Sequence, residues 1–260
     1  MFKNKVKVKK FDLIFSLGAA CPCSETLRRN YLQVCSFPLD WVAGSTFSNQ
    51  IDFLLNNFER YFEKEDLEFV SDDNGSFDSR CNVYKNNFNQ LIFNHDLIHD
   101  IDFNKAYTIA KEKYDRRIAR LYEKINEAKD ILIVYIQAPH TNSQPDNPNL
   151  EETINKINSK YPDKNFNILY LVYDSSMQPQ NYKIEEINDK LTKIIGNHKA
   201  TKPNAPDYAI NGKMLSKILK NYSLKLPFGY KIKTRLIKLI IKTLPNRKLR
   251  QKLRKKFHIM

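Results

Sequence analysis

The run Phe11-Asp12-Leu13-Ile14-Phe15-Ser16-Leu17 is almost continuously apolar, stops at Gly18, and gives way at Cys21 to the helical stretch Cys-Pro-Cys-Ser-Glu-Thr-Leu-Arg-Arg. A strand that does not alternate toward water is one covered on both faces, the signature of a parallel sheet packed between helices. The order strand, glycine turn, helix therefore constrains the fold more than any other feature. It predicts the opening crossover of an α/β protein, with Cys21 at the helix N-terminus.

Further along, the pattern repeats. Gln33 to Phe37 reads as a second strand running into Pro38-Leu39-Asp40-Trp41, and Thr46 to Phe62 as a helix with Phe47, Ile51, Leu54, Leu55 and Phe58 on one side. Near Leu67 and from Asn82 to Phe93 the chain reads as short strands or a hairpin around a polar loop, Ser71 to Ser79. Asn104 to Ala128 carries the strongest helical periodicity, Ile131 to Ile136 and Phe166 to Tyr173 are further buried strands, and Glu151 to Lys160 is helical. Strands alternating with helices predict an open, mainly parallel sheet with helices on both faces, a three-layer α/β domain over residues 1–223. No internal repeat is visible.

Residues 224–260 differ in composition. The chain has 43 Lys and Arg against 29 Asp and Glu, yet no acidic residue follows Asp207, and the last 53 residues hold 16 of the basic ones. Residues 1–207 are left with 27 basic and 29 acidic side chains, a net charge of −2, so the excess sits in the tail and not in the body. Ile232, Leu236, Leu239 and Ile240 form an apolar stripe that Leu249, Leu253 and Phe257 resume after Pro245. A basic amphipathic helix of this kind is suited to an anionic membrane surface; packing on the acidic body is the alternative. Nucleic acid is the weaker match, because no reading module accompanies the charge.

No run approaches the roughly eighteen apolar residues of a membrane span. Four cysteines, Cys21, Cys23, Cys35 and Cys81, are too few and too unevenly spaced for a disulfide framework, which points to a reduced, cytoplasmic setting, at most peripheral on the inner face of a membrane. The charged leader and apolar run before Cys21 superficially resemble a lipoprotein signal, but Asp12 and Gly18 speak for a strand. Metal and cofactor motifs are missing: there is no zinc-type Cys-x-x-Cys, His-Glu-x-x-His, phosphate loop, dinucleotide fingerprint or G-x-S-x-G elbow, so no metal and no cofactor is expected.

Chemistry is expected where parallel strands end, at Gly18, Ala19, Ala20 and Cys21. A thiol in the first helical turn faces unpaired N–H groups and the positive end of the dipole, which favour thiolate, and the same N–H groups can receive an oxyanion or a phosphate. The alternative is a small buried cysteine filling a tight turn. A thiolate mechanism needs an imidazole. His95, in Phe-Asn-His-Asp after an expected strand, and His140, in a polar loop after Ile136, are the two candidates. Asp40 is suited to orient the imidazole or to bond the turn around it; His198 reads as loop.

Taken together, Ser16-Leu17-Gly18 with Cys21, Leu27-Arg28-Arg29, Pro38-Leu39-Asp40-Trp41, Phe93-Asn94-His95-Asp96 and Tyr114-Asp115-Arg116-Arg117, spread in order over residues 11 to 136, resemble the bacterial family of papain-like cysteine peptidases; Leu39 stands where that turn usually has Phe. The resemblance implies Cys21 as nucleophile, His95 as its partner, Asp40 as a third polar member, and Arg116 or Arg117 holding an anionic group. With Gly18, Ala19 and His140 added as substrate contacts, the expected activity is a cysteine-dependent hydrolase or acyltransferase on a small-molecule, peptide or glycan substrate. Papain-type enzymes are α+β, whereas a buried strand feeds Cys21 here, so the fold expectation remains α/β. Family members often accompany genes for cell-surface polysaccharides, which implies a second activity: a membrane-associated transferase binding an anionic donor without covalent catalysis.

Overall fold

Unbroken apolar runs cannot face water on either side, and here they become adjacent strands of one sheet. The computed structural model describes residues 8–19, 21–72, 80–139, 147–205, 209–246, 249–250 and 253. In chain order its elements are β1 (Lys9–Phe11), β2 (Leu13–Ser16), α1 (Cys21–Arg29), β3 (Val42–Ala43), α2 (Phe47–Leu55), β4 (Leu67–Ser71), β5 (Cys81–Asn86), β6 (Ile92–Ile98) and α3 (Phe103–Glu127). They continue with β7 (Asp130–Ile136), α4 (Leu150–Lys160), β8 (Asn165–Tyr173), β9 (Tyr182–Glu186), β10 (Leu191–Gly196), α5 (Gly212–Leu219), β11 (Tyr222–Leu224) and α6 (Tyr230–Thr243).

The chain is a mixed α/β protein with three sheets among the described residues, not the single open sheet expected. A five-stranded sheet runs β2-β7-β8-β10-β9, with parallel pairs except for β9, which lies antiparallel at the edge. Its side chains divide between two cores. Leu13, Phe15, Ile131, Ile133 and Phe166 pack with α2, α3 and α4. Ile14, Leu132, Val134 and Leu169, pointing the other way, pack with α1 and α5. Each fully buried aliphatic side chain contributes about 1.5–3 kcal/mol. A one-residue slip of β2 would exchange the two sets, so its register, Ser16 opposite Val134, is tightly specified.

A second, four-stranded antiparallel sheet follows the order β3-β6-β5-β4. Its independence has a local cause. Asn86 Oδ1 accepts from the Phe88 and Asn89 N–H groups at 2.9 and 3.0 Å, closing a turn too short for anything but an antiparallel return. Register then breaks in β6. Leu97 pairs with Asn82 and Phe93 with Tyr84, so Asn94, His95 and Asp96 together oppose Val83 alone. Such a bulge re-aims side chains. Helix α3 covers this sheet through an aromatic cluster in which Phe93 meets Phe62 and Tyr114 at 4.6 and 5.5 Å between ring centres.

Two more expectations change. Gln33 to Phe37 is not a strand; the segment is irregular and feeds a 3-10 turn at Pro38–Trp41. The Phe37 N–H that a ladder would need donates instead to Asp40 Oδ2 at 2.9 Å. The helix expected to reach Phe62 stops at Leu55. Strands β9 to β11 and helix α5 had no reading in the sequence; β11 pairs in parallel with β1 as a two-stranded sheet, and Lys225, just beyond it, bonds Asp12 and Asp130 at 2.8 and 3.1 Å.

Candidate active site

Strand β2 delivers the chain to a turn fastened onto β7. The Gly18 N–H donates to Ser16 Oγ at 3.0 Å, the Ala19 N–H to the Ile136 carbonyl at 2.9 Å, and Ile136 N–H to the Gly18 carbonyl at 2.9 Å. Gly18 has φ +103°, a conformation that favours glycine, and a Cβ there would stand 2.7 Å from Gln50 Nε2, so any other residue would also displace that side chain. Both Gly18 and Ala19, expected as substrate contacts, thus have their N–H groups engaged within the fold. Cys21 follows as the first residue of α1, with Pro22 occupying a first-turn position whose missing N–H costs nothing.

Cys21 lines an open cleft of about 410 Å³ together with His95, Trp41 and Glu25; Asp96, Lys113 and Arg117 complete its wall. Two distant parts of the chain meet there: the end of the parallel sheet and the bulge of the antiparallel one. Because Asn94, His95 and Asp96 share one opposite residue, strict alternation is suspended and His95 and Asp96 both reach the cleft. The expectation that His95 lies at a strand end is corrected: it sits inside β6. Asp96 is buried, accepts from Tyr114 Oη at 2.6 Å and is ion-paired with Lys113.

The electrostatics of Cys21 run opposite to the helix-terminus argument. Burial pushes the thiol up to about 11, and the Glu25 carboxylate one turn on adds to the rise, while its own backbone N–H offsets little. The resting side chain is a neutral thiol. Cys23, fully buried, is pushed up to about 12 by its burial. Cys35 is half-buried and raised by the same cause.

Asp40 has no exposure. Its Oδ2 accepts from Gln33 Nε2 at 2.7 Å, the Phe37 N–H at 2.9 Å and Arg28 Nη2 at 3.2 Å, and its Oδ1 has no hydrogen-bond partner. Burial raises its pKa against the opposing pull of Arg28 and these donors. Ser24 Oγ, from α1, donates to the Asp40 carbonyl at 3.0 Å. The carboxylate therefore locks helix α1 to the Pro38–Trp41 turn, which in turn presents Trp41 to the cleft.

The paired arginines separate. Arg116 faces solvent, 3.7 Å from Glu112, whereas Arg117 lines the cleft with its guanidinium over the Tyr114 ring at 5.5 Å. His140 lies outside the described residues, as does Ala20. His198, read as loop, is buried, its Nε2 2.6 Å from the Gln137 carbonyl. Lys113, Glu25 and Trp41 were not singled out from sequence. Lys113 was recoverable, since it stands four residues before Arg117 and so shares its helix face. Among the described residues no group of His, Cys, Asp and Glu is placed to hold a metal ion.

A thiol at a helix N-terminus and an imidazole lining the same cleft are two groups that thiol-dependent acyl transfer uses. Residues 12–176 match the family model described as "Putative papain-like cysteine peptidase", and the chain belongs to that family. No curated protein and no solved structure matches it.

Proposed function

We propose that the protein is a cysteine-dependent hydrolase or acyltransferase acting through Cys21 and His95. The observation that carries this reading is that both side chains line one cleft although one comes from the start of helix α1 and the other from strand β6 of the antiparallel sheet. Because burial holds the thiol neutral, the proton leaves during the reaction: His95 takes it as Cys21 Sγ attacks a carbonyl carbon and forms the C–S bond. The oxyanion develops against the N–H groups of the first turn of α1, which have no acceptors within the helix. Collapse breaks the bond to the leaving group, which receives the proton from His95. Water or an acceptor nucleophile then attacks the thioester carbon and gives its proton to His95; the C–S bond breaks, and the departing sulfur recovers that proton from His95 as the thiol. Asp40 serves here as a positioning residue for α1 and Trp41.

The test is intact-mass trapping with a panel of activated acyl esters and peptides. The parent should gain one acyl mass on Cys21, removable by hydroxylamine, and Cys21→Ala should gain none. His95→Ala should acylate roughly 10²–10⁴-fold more slowly. Turnover retained by Cys21→Ser would end the covalent reading.

We further propose that the tail holds this chemistry at an anionic membrane surface. Support comes from α6, whose 3.6-residue period gives it three stripes. Tyr230, Thr234 and Ile237 are half-buried and Ile241 buried, which settles one face. Ile232, Leu236, Leu239 and Ile240 form a second apolar stripe, each at least 55% exposed. Lys231, Arg235 and Lys242 lie between the two. No acidic side chain accompanies them, and an anionic bilayer matches both stripe and charge. No described helix is long and apolar enough to cross a membrane.

A further inference from the structure

The two carboxylates and two cations that line the cleft are unequally partnered. Of its two carboxylates, Asp96 is paired with Lys113 and Glu25 with Arg29. Asp40, whose titration also feels Arg117, is already held by Arg28, Gln33 and the Phe37 amide. Arg117 is left over. Its Nη1 is buried with no hydrogen-bond partner, and among the described residues no carboxylate forms an ion pair with it. The contrast along one face of α3 is direct. One turn earlier Lys113 finds Asp96, and one turn later Arg120 Nη1 donates to the Ser36 carbonyl at 2.9 Å. Only the arginine between them, the one that lines the cleft with Cys21, lacks an acceptor. A buried guanidinium N–H without an acceptor carries a desolvation cost that a bound anion removes, and a planar fork suits two-oxygen anions.

We infer that Arg117 binds an oxyanion of the substrate, so that the protein selects acyl groups carrying a carboxylate or phosphate close to the carbonyl that Cys21 attacks. This rests on the Cys21 reading above and adds the substrate class to it. Lys113, already neutralised by Asp96, orients that carboxylate and contributes little to anion selection. Arg116, on the solvent face, contributes none.

The full-length protein can be tested without a known substrate, by alkylating it with iodoacetate and with iodoacetamide, which differ in charge and scarcely in size. The ratio of the two rates at one cysteine cancels its thiolate fraction. At Cys21 the iodoacetate-to-iodoacetamide ratio should exceed that of free N-acetylcysteine amide by roughly tenfold, the worth of one charge-assisted hydrogen bond; Cys35, with Arg28, Arg120 and Lys124 acting on it, is no neutral reference. Arg117→Gln should abolish the excess and Arg116→Gln should keep it. Inorganic phosphate should raise the melting temperature of the parent but not of Arg117→Gln, and should slow Cys21 alkylation. A carboxylate-only site would show the alkylation preference without the phosphate shift. A ratio at Cys21 equal to that of the free thiol, or an excess that survives Arg117→Gln, overturns the inference while leaving the nucleophile intact. A Cys21 inert to both reagents in a protein that phosphate still stabilises through Arg117 does the reverse. Inertness with no phosphate effect removes both.

Discussion

Arg28 Nη2 stands 3.2 Å from Asp40 Oδ2, joining the helix that starts with Cys21 to the turn that ends with Trp41, with 12% of the arginine side chain and none of the aspartate exposed. Arg28 also donates to Ser36 Oγ at 2.6 Å, so one guanidinium ties the end of the irregular segment that replaces the expected second strand to the turn that follows. Removing one partner of a buried pair leaves the other charge uncompensated. Asp40→Ala is expected to cost about 3–5 kcal/mol in denaturant unfolding. A loss below about 1 kcal/mol, the size of an exposed pair, would show that the carboxylate is not what fixes the turn.

The thiol supplies a pH dependence of known sign. Burial and Glu25 both favour its protonated form, so thiolate accumulates only as pH climbs past the ordinary 9.0 toward about 11. In the substrate-free protein the rate of Cys21 alkylation by iodoacetamide should still be rising above pH 9. Glu25→Gln removes the like charge and should move the curve to lower pH. A plateau already reached at neutral pH would mean a resting thiolate and imidazolium pair.

His198 governs stability at the other end of the scale. Burial pulls its pKa below the usual 6.5, outweighing the bond to the Gln137 carbonyl. The folded state holds the neutral ring, so the unfolded chain binds the extra proton between the two pKa values. Stability is complete above about 6.5 and declines as pH falls below it. Thermal melts from pH 7.5 down to 5 should show this decline, and His198→Asn should flatten it. An unchanged slope in the variant would acquit the imidazole.

For the tail, the measurement is co-sedimentation of the full chain with vesicles. Phosphatidylcholine containing about one-third phosphatidylserine should carry the protein down, pure phosphatidylcholine much less, and added salt should weaken binding through screening. Leu236→Glu with Leu239→Glu, on exposed positions, should abolish binding without lowering the melting temperature. Binding to RNA in place of vesicles, or vesicle binding that survives the double variant, would refute the proposal.

What sequence could foretell follows from how local the cause is. Strands β2, β7 and β8 are legible because a continuous apolar run has few alternatives, and α3 because a periodicity sustained over Phe103–Glu127 has almost none. Cys21 was legible for the same reason: its place depends on the residues beside it. Gln33 to Phe37 misled because its residues suit a strand while the Phe37 N–H and the Gln33 side chain are claimed by a carboxylate in the following turn. His95 could be named but not placed. Its exposure to the cleft comes from a register break in β6 that no residue type announces. Arg116 and Arg117, adjacent in sequence, differ only in which way α3 is turned, a matter settled by Tyr114 and its aromatic neighbours.

The edge position of β2 sets when the site can come into being. Among the described residues its sheet partner is β7 alone, ending at Ile136. A chain emerging from the ribosome has therefore made the whole antiparallel layer, His95 included, before Ile136 exists to exchange backbone hydrogen bonds with Gly18 and Ala19. The turn that carries Cys21 to the cleft is thus fastened only after the layer bearing the imidazole has been synthesised.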